Sequence, residues 1–230
     1  MNSKNYTPDI SGNRFLSKVY MWMFAGMLIT AIVSYSIYLS PRLQEMLLPY
    51  YFILLIIELV VVLALSWKSE SMSPSVAAGA FIFYALLNGI TLTVLLMAYT
   101  ASSVFIVFVI AAGMFIGMSL FGFFTKKDLS SIGRFAIMAL IGIIIAMILN
   151  IFLFMIIPDT AVLIDFGISV IAVLIFAALT AYDTQKIKEI GNSIEYGAPY
   201  QNMAVVCALT LYLDFINLFI HLLNIFGDRD

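Results

Sequence analysis

The sequence predicts an all-α integral membrane protein with seven transmembrane helices, and three observations carry that prediction. Hydrophobic residues make up 63% of the 230 positions and charged residues only 10%, against about 25% charged in an ordinary soluble domain. Seven apolar stretches each reach the roughly 20 residues that a helix needs to cross the hydrocarbon core. The breaks between them carry turn and charge punctuation, as in "SPR", "SMSPS", "TKKDLSS" and "PDT".

Taken in order, the first 18 residues, "MNSKNYTPDISGNRFLSK", are polar, lack the apolar core of a signal peptide and read as a cytoplasmic segment. The spans then fall at about 19–39, 47–66, 75–97, 103–124, 133–157, 161–181 and 203–226, with ends uncertain by a few residues. The sixth has no clean stop. It continues through "AYDTQKIKEIG" to about residue 190, where Lys186 and Lys188 suit a helix C-terminus and Gly191 reads as its cap. Residues 227–230 form a short tail. The second, third and fourth breaks are short, so the spans they join must pack as antiparallel hairpins. No soluble domain and no internal repeat stands out.

Seven spans put the two termini on opposite sides, and the basic residues choose which. Lys4, Arg14, Lys18, Lys68, Lys126, Lys127, Arg134, Lys186 and Lys188 fall on the N-terminal side, and only Arg42 and Arg229 on the other. This bias predicts a cytoplasmic N-terminus and an external C-terminus. A six-span arrangement with a re-entrant last segment is the alternative. No basic stripe with interleaved aromatics is present, which argues against nucleic-acid binding. Cys207 is the single cysteine, so no internal disulfide can form.

Function is to be sought in the ionisable residues at membrane depth, because an unpaired carboxylate there is costly. Glu58, Asp183 and Asp214 lie within or against a span, and Asp165 lies near the outer end of the sixth. At 1.5 Å per residue, Asp214 is roughly 16 Å from the start of the last span, and Asp183 and Glu58 about 12 Å from the cytoplasmic ends of theirs. The three carboxyls therefore share one layer. At 100° per residue, Asn217, His221 and Asn224 lie on the same side of the last span as Asp214. Asp165 and Asp183 are five turns apart on one face of the sixth span, with Ser169, Ala172, Phe176 and Leu179 between them. A stripe of this kind also serves plain interhelical packing, which is the competing reading for Asn217, Asn224 and His221.

Two segments, "FAALTAYDTQKIKEI" (176–190) and "LTLYLDFINLFIHLL" (209–223), together resemble the Bax inhibitor family. The glutamate of the second span and the "MSPSVAAGAFIFYALLNGITLT" run of the third support the resemblance, which covers the chain from about residue 15 on. The resemblance implies six helices around a central C-terminal seventh. It implies a pH-sensitive calcium leak, with Ca²⁺ as transported ion and no cofactor, in a bacterial inner membrane. It also implies a hydrogen-bonded aspartate pair as pH sensor, here Asp183 and Asp214, with Glu58 at the family's acidic position in the second span. The family's arginine latch near the end of that span is altered or absent, because Lys68 is the basic residue nearby. Glu58, Asp165, Asn217 and His221 are the remaining candidates along an ion pathway. Two carboxyls in contact cannot both ionise cheaply, so such a pair titrates as one coupled unit.

Other classes fit less well. An intramembrane aspartyl protease needs "GxGD" and "PAL", and neither occurs, so no enzymatic activity is expected. A retinal receptor needs a buried lysine, and every Lys lies outside the spans. A regulatory protein acting through a membrane-protein partner is the main alternative, with "KSESMSPS" and "GNSIEYGAPYQN" as exposed loops. A proton-coupled transporter using the same carboxyls is another. The expected partners are the bilayer, Ca²⁺, protons and such a membrane protein.

Overall fold

The computed structural model describes residues 8–68, 72–194 and 197–229, with side-chain surroundings from residue 12 on except at 66–68, 198 and 199. Among these residues every named element is helical: α1 (Pro8–Tyr38), α2 (Pro41–Leu47), α3 (Tyr51–Lys68), α4 (Pro74–Leu96), α5 (Ala101–Phe124), α6 (Ser130–Ile156), α7 (Pro158–Ser193) and α8 (Ala198–Phe226). Seven stretches are long and apolar enough to span a membrane: α1, α2 with α3, and α4 to α8 singly. Helices are what such a sequence must form, because lipid offers no partner to a free backbone N–H or C=O.

Proline sets many of the boundaries. Pro41 and Pro74 open α2 and α4 behind Ser40 and Ser73, and Pro158 opens α7. Each has a fixed φ and lacks an N–H that the first turn could not use. Thr100 caps α5 by accepting from the Ser103 N–H at 3.3 Å. Before α6, the Ser130 hydroxyl and N–H bond the exposed Asp128 carboxyl and hold it below the usual carboxylate range.

Several boundaries differ from the sequence expectation for physical reasons. The segment before residue 19 is not simply a polar tail, since α1 begins at Pro8 and buries Phe15, Leu16 and Val19. The second span starts earlier, at Pro41, and is interrupted by a 3-10 turn at Leu48–Tyr50, where Pro49 removes a backbone donor. Only Ile157 separates α6 from α7. Gly191 does not cap a helix: α7 runs on to Ser193, and no described glycine has positive φ. A Cβ on Gly191 would strike Phe15 and Gly12 of α1, so close helix approach explains this glycine.

The chain divides into two compact units, Met1–Ala98 with Ile187–Tyr212, and Tyr99–Lys186 with Leu213–Asp230. In the first, α1 and α3 both pack on α4. The Gly12 N–H donates to Asn192 Oδ1 at 3.0 Å. Tyr212 is fully buried there, edge-on to Phe81 and Tyr84. In the second, Phe215 lies edge-on to Phe108 and Phe115. The chain after α8 is pinned to the start of α5: Thr100 N–H donates to the Asp228 carbonyl at 2.9 Å, and Asp228 N–H to Ser103 Oγ at 2.9 Å. Of the seven spans α8 is the most enclosed, with 67% of its most apolar stretch buried against 6% for α6.

The Tyr212 hydroxyl lies 2.6 Å from Thr30 Oγ1 and 2.9 Å from Asn88 Oδ1. Replacing Tyr212 with Phe keeps the ring packing and strands the Asn88 oxygen. Thermal unfolding in detergent should show a loss of about 1–3 kcal/mol, whereas a solvent-facing hydroxyl would cost almost nothing.

Candidate functional site: a buried aspartate pair and its surroundings

The segment "AYDTQ" of α7 is clamped from three directions within the second unit. The Ala181 carbonyl occupies the space where a Cβ on Gly122 of α5 would stand. The Tyr182 ring covers Gly133 of α6 in the same way. Gln185 reaches the connection between those helices, accepting from the Leu129 N–H and donating to the Lys127 carbonyl, both at 2.9 Å. Two glycines and one amide thus fix the backbone on both sides of Asp183. Because α7 is one continuous helix here, Asp183 has little freedom in where it projects.

It projects to Asp214. The two carboxyl groups are hydrogen-bonded to each other, Asp183 half-buried and Asp214 buried. A carboxyl–carboxyl hydrogen bond requires a proton on one member. The second oxygen of Asp214, Oδ2, is enclosed without a hydrogen-bond partner. A charged oxygen in that position would forfeit its hydration for nothing, while a neutral carbonyl oxygen tolerates it far better. The pair therefore holds one shared proton and titrates as a coupled unit.

Toward the other end of α8 lies a second polar cluster. The Asn224 side-chain amide donates to Asp165 Oδ2 at 2.7 Å and to Ser169 Oγ at 2.8 Å, and its oxygen accepts from Arg229 at 3.0 Å. Ser169 Oγ is 3.1 Å from His221 Nδ1. Phe176 stacks on that ring at 6.0 Å between centroids. Ser169, Ala172, Phe176 and Leu179, the residues between Asp165 and Asp183, are all buried. Asn217 donates to the Leu213 carbonyl of its own helix at 2.8 Å.

Glu58, in the first unit, is buried and has its own set of partners. Asn88 donates to Oε1, Thr91 donates to Oε2 at 3.0 Å, and Tyr84 also bonds the carboxyl. Asn88 in turn accepts from Tyr212. Tyr84, Asn88 and Thr91 stand at positions i, i+4 and i+7 of α4, one helical face. Sequence reasoning weighed the acids and passed over this row of neutral donors, although its spacing is legible in "YALLNGIT". Lys68 ends α3, and its side chain lies outside the described residues. No group of three or more His, Cys, Asp or Glu side chains suited to a metal occurs among the described residues.

Comparison with known proteins adds an independent line. The family model described as "Inhibitor of apoptosis-promoting Bax1" matches residues 12–230. The inner membrane protein YbhL of Escherichia coli (strain K12) is 40% identical over 220 residues, covering 94% of this chain and 92% of that one. An uncharacterized protein of Deinococcus radiodurans is 39% identical over 216 residues, covering 94% and 91%. One from Borreliella burgdorferi is 37% identical over 221 residues, covering 94% and 93%.

Two measurements check the geometry. Infrared spectroscopy at neutral pH should detect a protonated carboxyl band that disappears in Asp214→Asn. Gly122→Ala should lower the unfolding midpoint by the equivalent of about 1–3 kcal/mol, because α5 and α7 must part to admit the methyl group.

Proposed function

We propose, from the premise that the chain belongs to the Bax inhibitor family, that it is a pH-sensitive leak pathway for Ca²⁺ or similar cations, gated by Asp183 and Asp214. The observation that carries this reading is the direct hydrogen bond between the two carboxyls on α7 and α8. With one proton shared, the bond ties the two helices together. Losing that proton sets two like charges against each other, and adding a second removes the ionised acceptor. Either change biases a two-state arrangement of α7 against α8. Oxygen-bearing side chains suit a hard cation, and a leak needs weak contacts rather than a closed cage. Asp165, Glu58 and His221 are the further residues assigned to the pathway in this reading.

The orientation that accompanies it has a cytoplasmic N-terminus and an external C-terminus, from the distribution of Lys and Arg. The inner membrane is the proposed location, in line with the name of the Escherichia coli relative.

Purified protein in calcium-loaded liposomes tests the proposal. Flux should change between about pH 6 and 8, as the coupled pair gains or loses its shared proton. Asp214→Asn retains an amide donor to Asp183 but cannot exchange the proton, so its flux should be nearly flat over that range. Flux equal to that of empty liposomes at every pH would exclude the leak. A regulatory role through a membrane-protein partner then becomes the leading reading.

A further inference from the structure

The α6–α7 hairpin holds a cleft of about 410 Å³, within the size range of small-ligand sites. Its walls include Ile151, Phe154 and Met155 of α6 and Val162 of α7, all exposed on the apolar outer surface of the protein. The cleft therefore opens sideways onto lipid. Its polar lining consists of Asn150, Asp165 and Arg229.

Two features of that lining specify an occupant. Asp165 and Arg229 are held one amide apart, because Asn224 donates to the carboxylate through its nitrogen and accepts from the guanidinium through its oxygen. The cleft thus presents a negative and a positive group side by side. Independently, Asn150 uses its nitrogen to donate to the Ala161 carbonyl at 3.1 Å, leaving Oδ1 buried without a partner. A buried acceptor of this kind calls for a donor. Asn150 is six residues before the end of α6, about 9 Å along the axis, close to the boundary between headgroups and hydrocarbon.

We propose that the cleft binds one aminophospholipid, with its phosphoethanolamine headgroup between Asp165 and Arg229. The ammonium donates to Asp165, the phosphate meets the Arg229 guanidinium, and the upper part of an acyl chain lies along Ile151, Phe154, Met155 and Val162. Each alternative leaves a group unmet. A choline head has no N–H to donate to Asp165, a glycerol head has no cation for it, and a bare metal ion is repelled by Arg229. The site shares Asp165 with the proposed ion pathway but takes no part in the Asp183–Asp214 gate, so lipid retention is measured separately from flux.

Native mass spectrometry of the detergent-purified protein, offered phosphatidylethanolamine, phosphatidylcholine and phosphatidylglycerol with the same acyl chains, tests it. One phosphatidylethanolamine should be retained with about tenfold preference, the scale of one charge-assisted hydrogen bond. Arg229→Gln, on an exposed residue, should weaken that retention about tenfold. Asp165→Asn should erase the preference for phosphatidylethanolamine over phosphatidylglycerol. Val162→Trp fills the cleft from its lipid-facing side and should abolish retention without moving the unfolding midpoint. Equal retention of the three lipids would mean an unselective lipid coat and overturn the proposal. So would a phosphatidylethanolamine preference that survives both Arg229→Gln and Val162→Trp.

Discussion

A polar side chain at membrane depth can satisfy its hydrogen bonds only with other protein groups or with water the protein itself admits. That constraint organises the interior of this molecule. Among the described residues each buried acid has a partner on another helix: Asp214 bonds Asp183 and Glu58 takes donors from α4, while the half-buried Asp165 takes the Asn224 amide. Even a neutral ring such as that of Tyr212 is anchored by its hydroxyl. The exceptions are then informative. Among the described residues four buried side-chain atoms have no partner: Asp214 Oδ2 lies in the proposed gate and Asn150 Oδ1 beside the proposed lipid cleft, whereas Ser119 Oγ and Asn202 Oδ1 belong to neither.

The three acidic sites differ in what surrounds them, and so in what a change of protonation can do. Among the described residues Glu58 bonds the neutral donors Asn88, Thr91 and Tyr84, which tie α3 to α4 whatever part Glu58 takes in the proposed pathway. Asp183 and Asp214 face each other, so the charge on one depends on the proton of the other. Asp165 is held beside a cation through a shared amide, which leaves it facing outward chemistry rather than another acid. Carboxyls thus acquire different roles from their immediate neighbours.

Much of this could be read along the chain. Hydrophobic run length gave the seven spans, and the 100° rule placed Asp214, His221 and Asn224 on one side of the last, the side that meets Asp183, Ser169 and Asp165. Helical periodicity sees one helix at a time. It gives the depth of Glu58 but not which helix stands beside it, so Asn88 and Thr91 went unnoticed. Arg229 counted only as a charge near the end of the chain, because nothing local shows that the segment after α8 folds back on Tyr99 and Thr100. The glycines misled for a related reason. Gly191 has the sequence signature of a helix cap, whereas its use is contact with α1, a long-range fact.

The polar partners of α8 have a consequence for how the protein is made. Thirty and more residues of synthesis separate Asp183 from Asp214, and Thr30 precedes Tyr212 by most of the chain. Translation proceeds from the N-terminus at about 5–20 residues per second, so Asp183, Ser169 and Asn88 enter the membrane seconds before the groups that bond them. In that interval they must be shielded by the insertion machinery, by water or by one another. α8 follows in order of synthesis the groups it bonds, so a ribosome stall or truncation just short of it leaves Asp183, Ser169 and Asn88 without their α8 partners.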